Sequence, residues 1–175
     1  MKVAFLMLAS AFALAACSQP AETPAAPAPE AESISVTLQQ ATLEGAGDSV
    51  GAVEFSDSAG GAVINVDLTG LPPGQHGFHV HENASCAPHA GAHGAMEPAG
   101  AAGAHWDPDG AGTHAGPEGE GHLGDLPLID VGADGRAQLT LAAPRITQVS
   151  QLRGRALMIH AGGDNYTDTP ANGGG

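Results

Sequence analysis

Six histidines and one aspartate between residues 79 and 160 have the residue types and spacing of a metal-binding region. Two of them form the string His79-Val80-His81. Side chains at i and i+2 of a strand point to the same face, so this string directs two imidazoles toward one point. The others follow in glycine- and proline-rich segments and in a later apolar run: His105, His114, His122, Asp125 and His160.

The seven residues divide by ligand chemistry. His105, His114, His122 and Asp125 lie within about twenty residues and offer three nitrogens and one oxygen, a donor set that suits tetrahedral zinc. His79, His81 and His160 lie on predicted strands and offer nitrogen only. Neutral imidazoles without a hard carboxylate favour copper. The spacing therefore predicts two different metal sites.

The elements that must position these residues are short strands. Their alternating apolar residues are bounded by Gly, Asp, Ser or Pro, and no long helical period occurs within the domain. This pattern predicts an all-β fold, an antiparallel Greek-key sandwich or barrel with long metal-binding loops. The seven predicted strands are 34–38, 50–55, 62–68, 75–82, 126–131, 136–141 and 155–160.

A segment of about forty residues, Asn83 to Gly124, lacks strand patterning and is rich in Gly, Ala, His and Pro. Loops of this length in compact domains are usually functional or disordered, and metal binding would offset the entropy lost on ordering this one. His89 and His93, also within it, are interpreted as solvated residues, with accessory metal capture as the alternative. His76 is predicted to have a structural hydrogen-bonding role.

The N-terminus predicts export. Residues 1–16 combine a short basic start with an apolar run and end before Cys17 in Leu-Ala-Ala-Cys, which is similar to a bacterial lipoprotein signal. Residues 17–33 are then a lipidated cysteine and a Pro/Ala-rich tether, and residues 34–175 form the domain. An ordinary signal peptide with a chance cysteine is the alternative. The signal predicts a periplasm-facing protein, anchored by lipid to the outer membrane.

The net charge limits the partners. After cleavage four arginines would face 19 acidic residues, a net charge of about −15. Such a charge argues against nucleic acid and anionic lipid as partners. We therefore expect contact with a membrane through the lipid anchor alone, and the sequence leaves the oligomeric state open.

Five motifs together resemble the bacterial copper–zinc superoxide dismutases. They are His76-Gly-Phe-His-Val-His-Glu82, Ala102-Gly-Ala-His-Trp-Asp-Pro108, His114-Ala-Gly-Pro117, His122-Leu-Gly-Asp-Leu-Pro127 and Met158-Ile-His-Ala-Gly-Gly-Asp-Asn-Tyr166. All seven ligands that this family uses are present in the family's order. The resemblance implies an enzyme that converts superoxide to dioxygen and hydrogen peroxide and protects the periplasm.

The resemblance also implies a role for each ligand. Copper would be held by His79, His81, His105 and His160, and zinc by His105, His114, His122 and Asp125. His105 would bridge the two ions and act in catalysis. Asp164 would tie a copper-ligand histidine to a zinc-ligand histidine, since a metal-bound imidazole usually donates its other N–H to a carboxylate or carbonyl.

The chain differs from the family pattern after Gly173-Gly-Gly175. The family continues with an arginine that guides superoxide, a cysteine and a final strand, so we expect the domain to be C-terminally incomplete and Cys86 to have no disulfide partner within it. The alternative function is a copper- and zinc-binding or buffering protein with little catalysis, because that segment is absent.

Overall fold

The protein is described here from a computed structural model, which covers residues 31–91 and 94–170. The signal, Cys17, most of the tether and His93 lie outside these ranges. Ten strands occur: β1 Ser33–Thr42, β2 Gly45–Ser58, β3 Gly61–Thr69, β4 Gly74–His76, β5 Phe78–His81, β6 His89–Ala90, β7 Met96–Glu97, β8 Ile129–Val131, β9 Arg136–Ala143 and β10 Ala156–Ile159. The helices of the described residues are two 3₁₀ turns, Gly100–Ala102 and Val149–Leu152. Neither has the length or the apolar character that a membrane span requires.

The main sheet is antiparallel, with strand order β1-β2-β3-β9. Its inner face follows from the period-2 pattern, since Val53 and Phe55 of β2 and Ile64 of β3 are almost fully buried while residues between them face solvent. At about 25 cal/mol per Å² of apolar surface buried, these side chains contribute much of the stability of the barrel. The predicted all-β antiparallel class is confirmed.

The second layer carries the chemistry. β5 pairs with β10, and β4 pairs with β8. All four residues of β5 are buried, which is unusual for a strand with two histidines, and places both imidazoles inside the molecule. Imidazoles in such a position need partners for their nitrogens, because an unpaired buried polar group is costly.

The bounds of all seven predicted strands differ from the structure, and two of the strands are divided or halved. The predicted strand 75–82 is divided at Gly77, whose N–H donates to Gly162 O and whose carbonyl accepts the N–H of His160. These bonds connect the end of β10 with the junction of β4 and β5. The predicted strand 126–131 shortens to β8, because the N–H groups of Leu126 and Leu128 bond to Phe78 O and the Tyr166 hydroxyl instead of extending the β4–β8 ladder.

Two strand edges face an apolar groove. Within residues 31–91 and 94–170, β1 pairs with β2 alone and β10 with β5 alone. Ile34 and Val36 of β1 and Ala156 and Leu157 of β10 line one part of the groove between them.

Candidate metal centre

The main chain brings three ligand-bearing segments together along β5. His79 lies opposite Asp125 and His81 opposite His105 in isolated antiparallel bridges. On the other side of β5, β10 runs antiparallel and delivers His160 just after its last residue. One short strand thus aligns the loop ligands and the β10 ligand, which explains why residues up to 81 positions apart meet.

Four histidines form the first group. One ring nitrogen from each lies within 4.8 Å of the others, and the members are His79, His81, His105 and His160. Within the group, His81 Nε2 and His160 Nε2 lie 3.3 Å apart. The predicted copper ligands are therefore together in the structure.

Hydrogen bonds determine which nitrogen of two of these rings is available. His79 Nε2 lies 2.7 Å from Asp164 Oδ2, and His81 Nδ1 lies 2.8 Å from Gly103 O. Carboxylate and carbonyl oxygens only accept hydrogen bonds, so these nitrogens carry the protons. The lone pairs are then on His79 Nδ1 and His81 Nε2, the atoms left for a metal.

The second group surrounds Asp125. Its carboxylate oxygens lie 3.0 Å from His105 Nδ1, 2.8 Å from His114 Nδ1 and 3.4 Å from His122 Nδ1. A second set with ligand atoms within 4.8 Å of one another consists of His79, His105, His114 and Asp125, with His79 in the place where the sequence predicts His122. His79 Nδ1 belongs to the all-nitrogen group by the tautomer argument, so His122 remains the predicted fourth member around Asp125.

Asp164 connects the two groups. Its Oδ2 lies 2.7 Å from His79 Nε2 and its Oδ1 lies 2.7 Å from His114 Nε2, and its side chain is fully buried. Both imidazoles therefore donate to one carboxylate. The contact predicted for Asp164 from the resemblance is present.

The electrostatics keep two ligands of the all-nitrogen group, His79 and His160, in the neutral form that metals require. Burial, together with the neighbouring ring of His105, lowers the pKa of His79 to about 2. Burial and the neighbouring ring of His81 lower the pKa of His160 to about 4. Metal ligands must be deprotonated imidazoles, so at neutral pH these rings need not release a proton to bind.

The pKa shifts of Asp125 and His114, in the second group, come from opposing effects. Burial raises the pKa of Asp125, but hydrogen bonds from His105 and the Ala115 N–H outweigh it and bring the pKa to about 2. Burial lowers the pKa of His114, but the Asp164 and Asp125 carboxylates outweigh burial and raise it. Asp125 is therefore ionised at neutral pH and attracts positive charge.

Three buried ring nitrogens without a hydrogen-bond partner show whether metal ions would fit the two ligand groups. His79 Nδ1, His114 Nδ1 and His122 Nδ1 are buried and make no hydrogen bond, although the last two lie near Asp125. Native structures rarely leave buried polar atoms without partners, and an ion is a common reason for the exceptions. The four-nitrogen group suits copper, and the three-nitrogen, one-oxygen group suits zinc, so both ions fit the residues present.

Within residues 31–91 and 94–170, His76, His89 and Cys86 belong to neither ligand group. His76 is buried, with its nitrogens 2.8 Å from His160 O and from Pro72 O, a structural role of the kind predicted. His89 and Cys86 are exposed, and Cys86 makes no disulfide within residues 31–91 and 94–170. Accessory metal capture by the pair His89 and His93 stays untested.

Several supporting residues were not anticipated from the sequence. Arg145 donates to the carbonyls of His122, at 3.0 Å, and Gly121, at 2.7 Å, and Asp168 accepts the N–H of His114 at 2.9 Å. The Tyr166 hydroxyl accepts the N–H of Leu128. No spacing rule points to these residues, because each acts across a long sequence separation through the main chain of the loops.

Gly124 provides a test of this main-chain framework. Its N–H donates to Trp106 O and its carbonyl accepts the N–H of Val80, both at 2.8 Å. A Cβ at this position would overlap the Val80 carbonyl and come within 2.9 Å of Trp106 N. We expect Gly124→Ala to destabilise the metal-free chain by about 1–3 kcal/mol, measured by urea unfolding.

The matched control is Gly60→Ala, in the β2–β3 turn, where a Cβ would meet nothing within 4 Å. Equal unfolding midpoints for the two variants would contradict this interpretation of Gly124.

Comparison with known proteins agrees with this geometry. The model of the copper/zinc superoxide dismutase family (SODC) matches residues 49–175. A superoxide dismutase [Cu-Zn] of Brucella abortus is 47% identical to this chain over 140 residues, which cover 80% of each chain. Superoxide dismutase [Cu-Zn] 1 of Salmonella typhimurium is 44% identical over 175 residues, which cover all of this chain and 93% of that one. The structure of the Brucella abortus enzyme superposes with a TM-score of 0.77 at 47% identity, covering 79% of this chain and 90% of that one. The chain belongs to the copper/zinc superoxide dismutase family.

Proposed function

We propose that the chain is a superoxide dismutase that converts superoxide to dioxygen and hydrogen peroxide. His79, His81, His105 and His160 would hold copper, and His105, His114, His122 and Asp125 would hold zinc. The observation that carries the proposal is that His105 belongs to both ligand groups and faces Asp125 with Nδ1, which leaves its Nε2 for the all-nitrogen group. His79 also occurs in both groups, but its Nε2 is bonded to Asp164, so it has only Nδ1 to offer a metal. A bridging imidazole is what distinguishes this pair of sites from two independent ones.

When bound, copper would supply the one-electron oxidation and reduction of superoxide, and zinc would supply structure and positive charge. His105 Nδ1 faces Asp125, which leaves Nε2 for the copper group. We propose that His105 holds and passes a proton at Nε2, and that this is its catalytic role. Asp164 holds His79 and His114 in orientation by accepting one N–H from each.

The experiment is metal analysis of the full chain combined with stopped-flow measurement of superoxide decay. We expect one copper and one zinc per chain and a decay rate far above that of a free copper chelate. Both metals bound with a rate no better than the chelate would favour the alternative function, copper and zinc buffering. Failure to bind both metals would contradict the proposal outright.

We also propose where the protein works. The signal at residues 1–16 would export it, the Cys17 thiol would carry lipid, and the tether to residue 33 would hold the domain at most ~50 Å from the outer membrane, at about 3.1 Å per residue. The domain would then face the periplasm and protect it from superoxide. These segments lie almost entirely outside the described residues, and support comes from the sequence.

The anchor is tested by Cys17→Ser expressed in a Gram-negative host. The thiol is the proposed attachment point, so we expect the wild-type chain to partition into the detergent phase and the variant to appear in the aqueous phase or as an unprocessed precursor. Cys86→Ser is the matched control, because it removes the other cysteine, and it should partition as the wild type does. A wild-type chain found in the aqueous phase would rule out the anchor.

A further inference from the structure

We infer that Asp168 and Tyr166 are positioning residues for the zinc site. In this inference the segment 164–168 clamps the zinc loop, residues 105–128, onto the end of β10. This inference rests on the proposed function, since it concerns the residues that hold zinc. It goes further by assigning a role to two side chains that bear no ligand atom.

The first contact is at a ligand itself. Asp168 Oδ1 accepts the main-chain N–H of His114 at 2.9 Å, while Asp164 Oδ1 lies 2.7 Å from His114 Nε2. His114 is therefore held at its backbone and at its ring by two carboxylates of the same segment. With both ends fixed, Nδ1 is directed at Asp125, 2.8 Å away.

The second contact extends the clamp to the chain that follows His114. The Tyr166 hydroxyl accepts the N–H of Leu128 at 2.9 Å. Leu128 lies three residues after the zinc-group residue Asp125. Its ring packs against Gly116, where a Cβ would lie 2.7 Å from Tyr166 Cγ. The ring thus occupies space that only glycine leaves open, two residues after His114.

The segment is itself built to present these groups. Tyr166 has a φ of 58°, a left-handed conformation that few non-glycine residues adopt, and its N–H donates to Asp164 Oδ1 at 2.7 Å. A strained backbone conformation of this kind persists only where the surrounding contacts hold it in place. Asp164 contacts His79 and His114, and the turn that follows it directs the ring of Tyr166 toward Gly116 of the zinc loop.

Functionally, the clamp ties the zinc loop to the strand that carries His160. Asp164, four residues after His160, contacts His79 and His114. Asp168 fixes the main chain at His114, and Tyr166 fixes it at Leu128, just after Asp125. Residues outside the ligand set that orient ligands typically change metal affinity by 10–100-fold when lost. Asp168 acts through the backbone, so its effect should lie near the lower value.

The test is the release of Zn²⁺ from the zinc-loaded full chain to an excess of a competing chelator. We expect Asp168→Ala to accelerate release by about tenfold. Asp168→Asn keeps the acceptor oxygen and should behave almost as the wild type. Tyr166→Phe keeps the ring on Gly116 but loses the hydroxyl, and should give a smaller acceleration than Asp168→Ala.

The matched control is Asp134→Ala, since Asp134 also accepts one main-chain N–H, that of Arg136, in the turn between β8 and β9. Co²⁺ placed in the zinc site supplies an independent readout, because its visible d–d bands report ligand geometry. We expect altered bands for Asp168→Ala and unchanged bands for Asp168→Asn and Asp134→Ala.

The outcomes separate the inference from the function on which it rests. A wild-type chain that binds no Zn²⁺ would overturn the zinc assignment itself. A wild-type chain that binds Zn²⁺ tightly, with Asp168→Ala identical to Asp134→Ala in release rate and Co²⁺ spectrum, would overturn the clamp alone.

Discussion

Replacing His160 with alanine should lower superoxide decay by the copper-loaded chain at least about 100-fold, to the rate of a free copper chelate. His160 contributes one of the four nitrogens of the copper group, and its Nε2 lies 3.3 Å from His81 Nε2. Losing a residue that only orients a ligand costs up to 100-fold in affinity or activity, so losing a ligand should cost at least as much.

His160 is a better site for this test than His79. It is only half-buried, and its main-chain carbonyl, which accepts the contact from His76, remains after substitution. His79 is fully buried and bonded to Asp164, so His79→Ala should abolish activity as well, with a larger loss of stability. The free energy of unfolding of both variants separates the two effects.

His89→Ala is the control for His160→Ala, because His89 is exposed and outside both ligand groups. Stopped-flow superoxide decay and copper content should be measured on the same samples. A His160→Ala chain that retains full copper and full activity would remove His160 from the proposed copper site.

The ligands could be predicted from the sequence because strand geometry is local. The spacing of His79 and His81 sets both imidazoles on one face wherever the strand lies, and burial of all four β5 residues is consistent with the apolar neighbours Phe78 and Val80. The strand break at Gly77 could not be predicted, because the alternating pattern continues through it. The break depends on the bonds of Gly77 to residues 160 and 162, more than eighty positions away.

For the long loop from Asn83 to Gly124, the sequence predicts which residues could bind metal but not the contacts that hold the loop in place. Nothing in the sequence indicates that Arg145 holds the carbonyls of Gly121 and His122, or that Asp168 holds the N–H of His114. Such contacts depend on how the loop lies over the barrel, which spacing does not encode. The same limit explains why the sequence places His122 with Asp125 although His79 also comes within ligand distance of that group.

Two aspartates should give different patterns of metal loss when each is replaced. Asp125 is the only carboxylate in either ligand group, so Asp125→Ala removes the charged ligand of the zinc site and leaves the copper group complete. We expect zinc to be released before copper on dialysis. Equal loss of both metals would count against two distinct sites.

Asp164→Ala should instead weaken both sites, each by about 10–100-fold. Asp164 holds no metal in the proposal, but it accepts from His79 in the copper group and from His114 in the zinc group. Removing it leaves two buried Nε2–H groups without acceptors and frees both rings to turn. Metal analysis of Asp125→Ala, Asp164→Ala and the control Asp134→Ala after stepwise chelation makes the comparison. Selective loss of one metal from Asp164→Ala would show that this carboxylate serves a single site, and the coupling of the two sites would then rest on His105 alone.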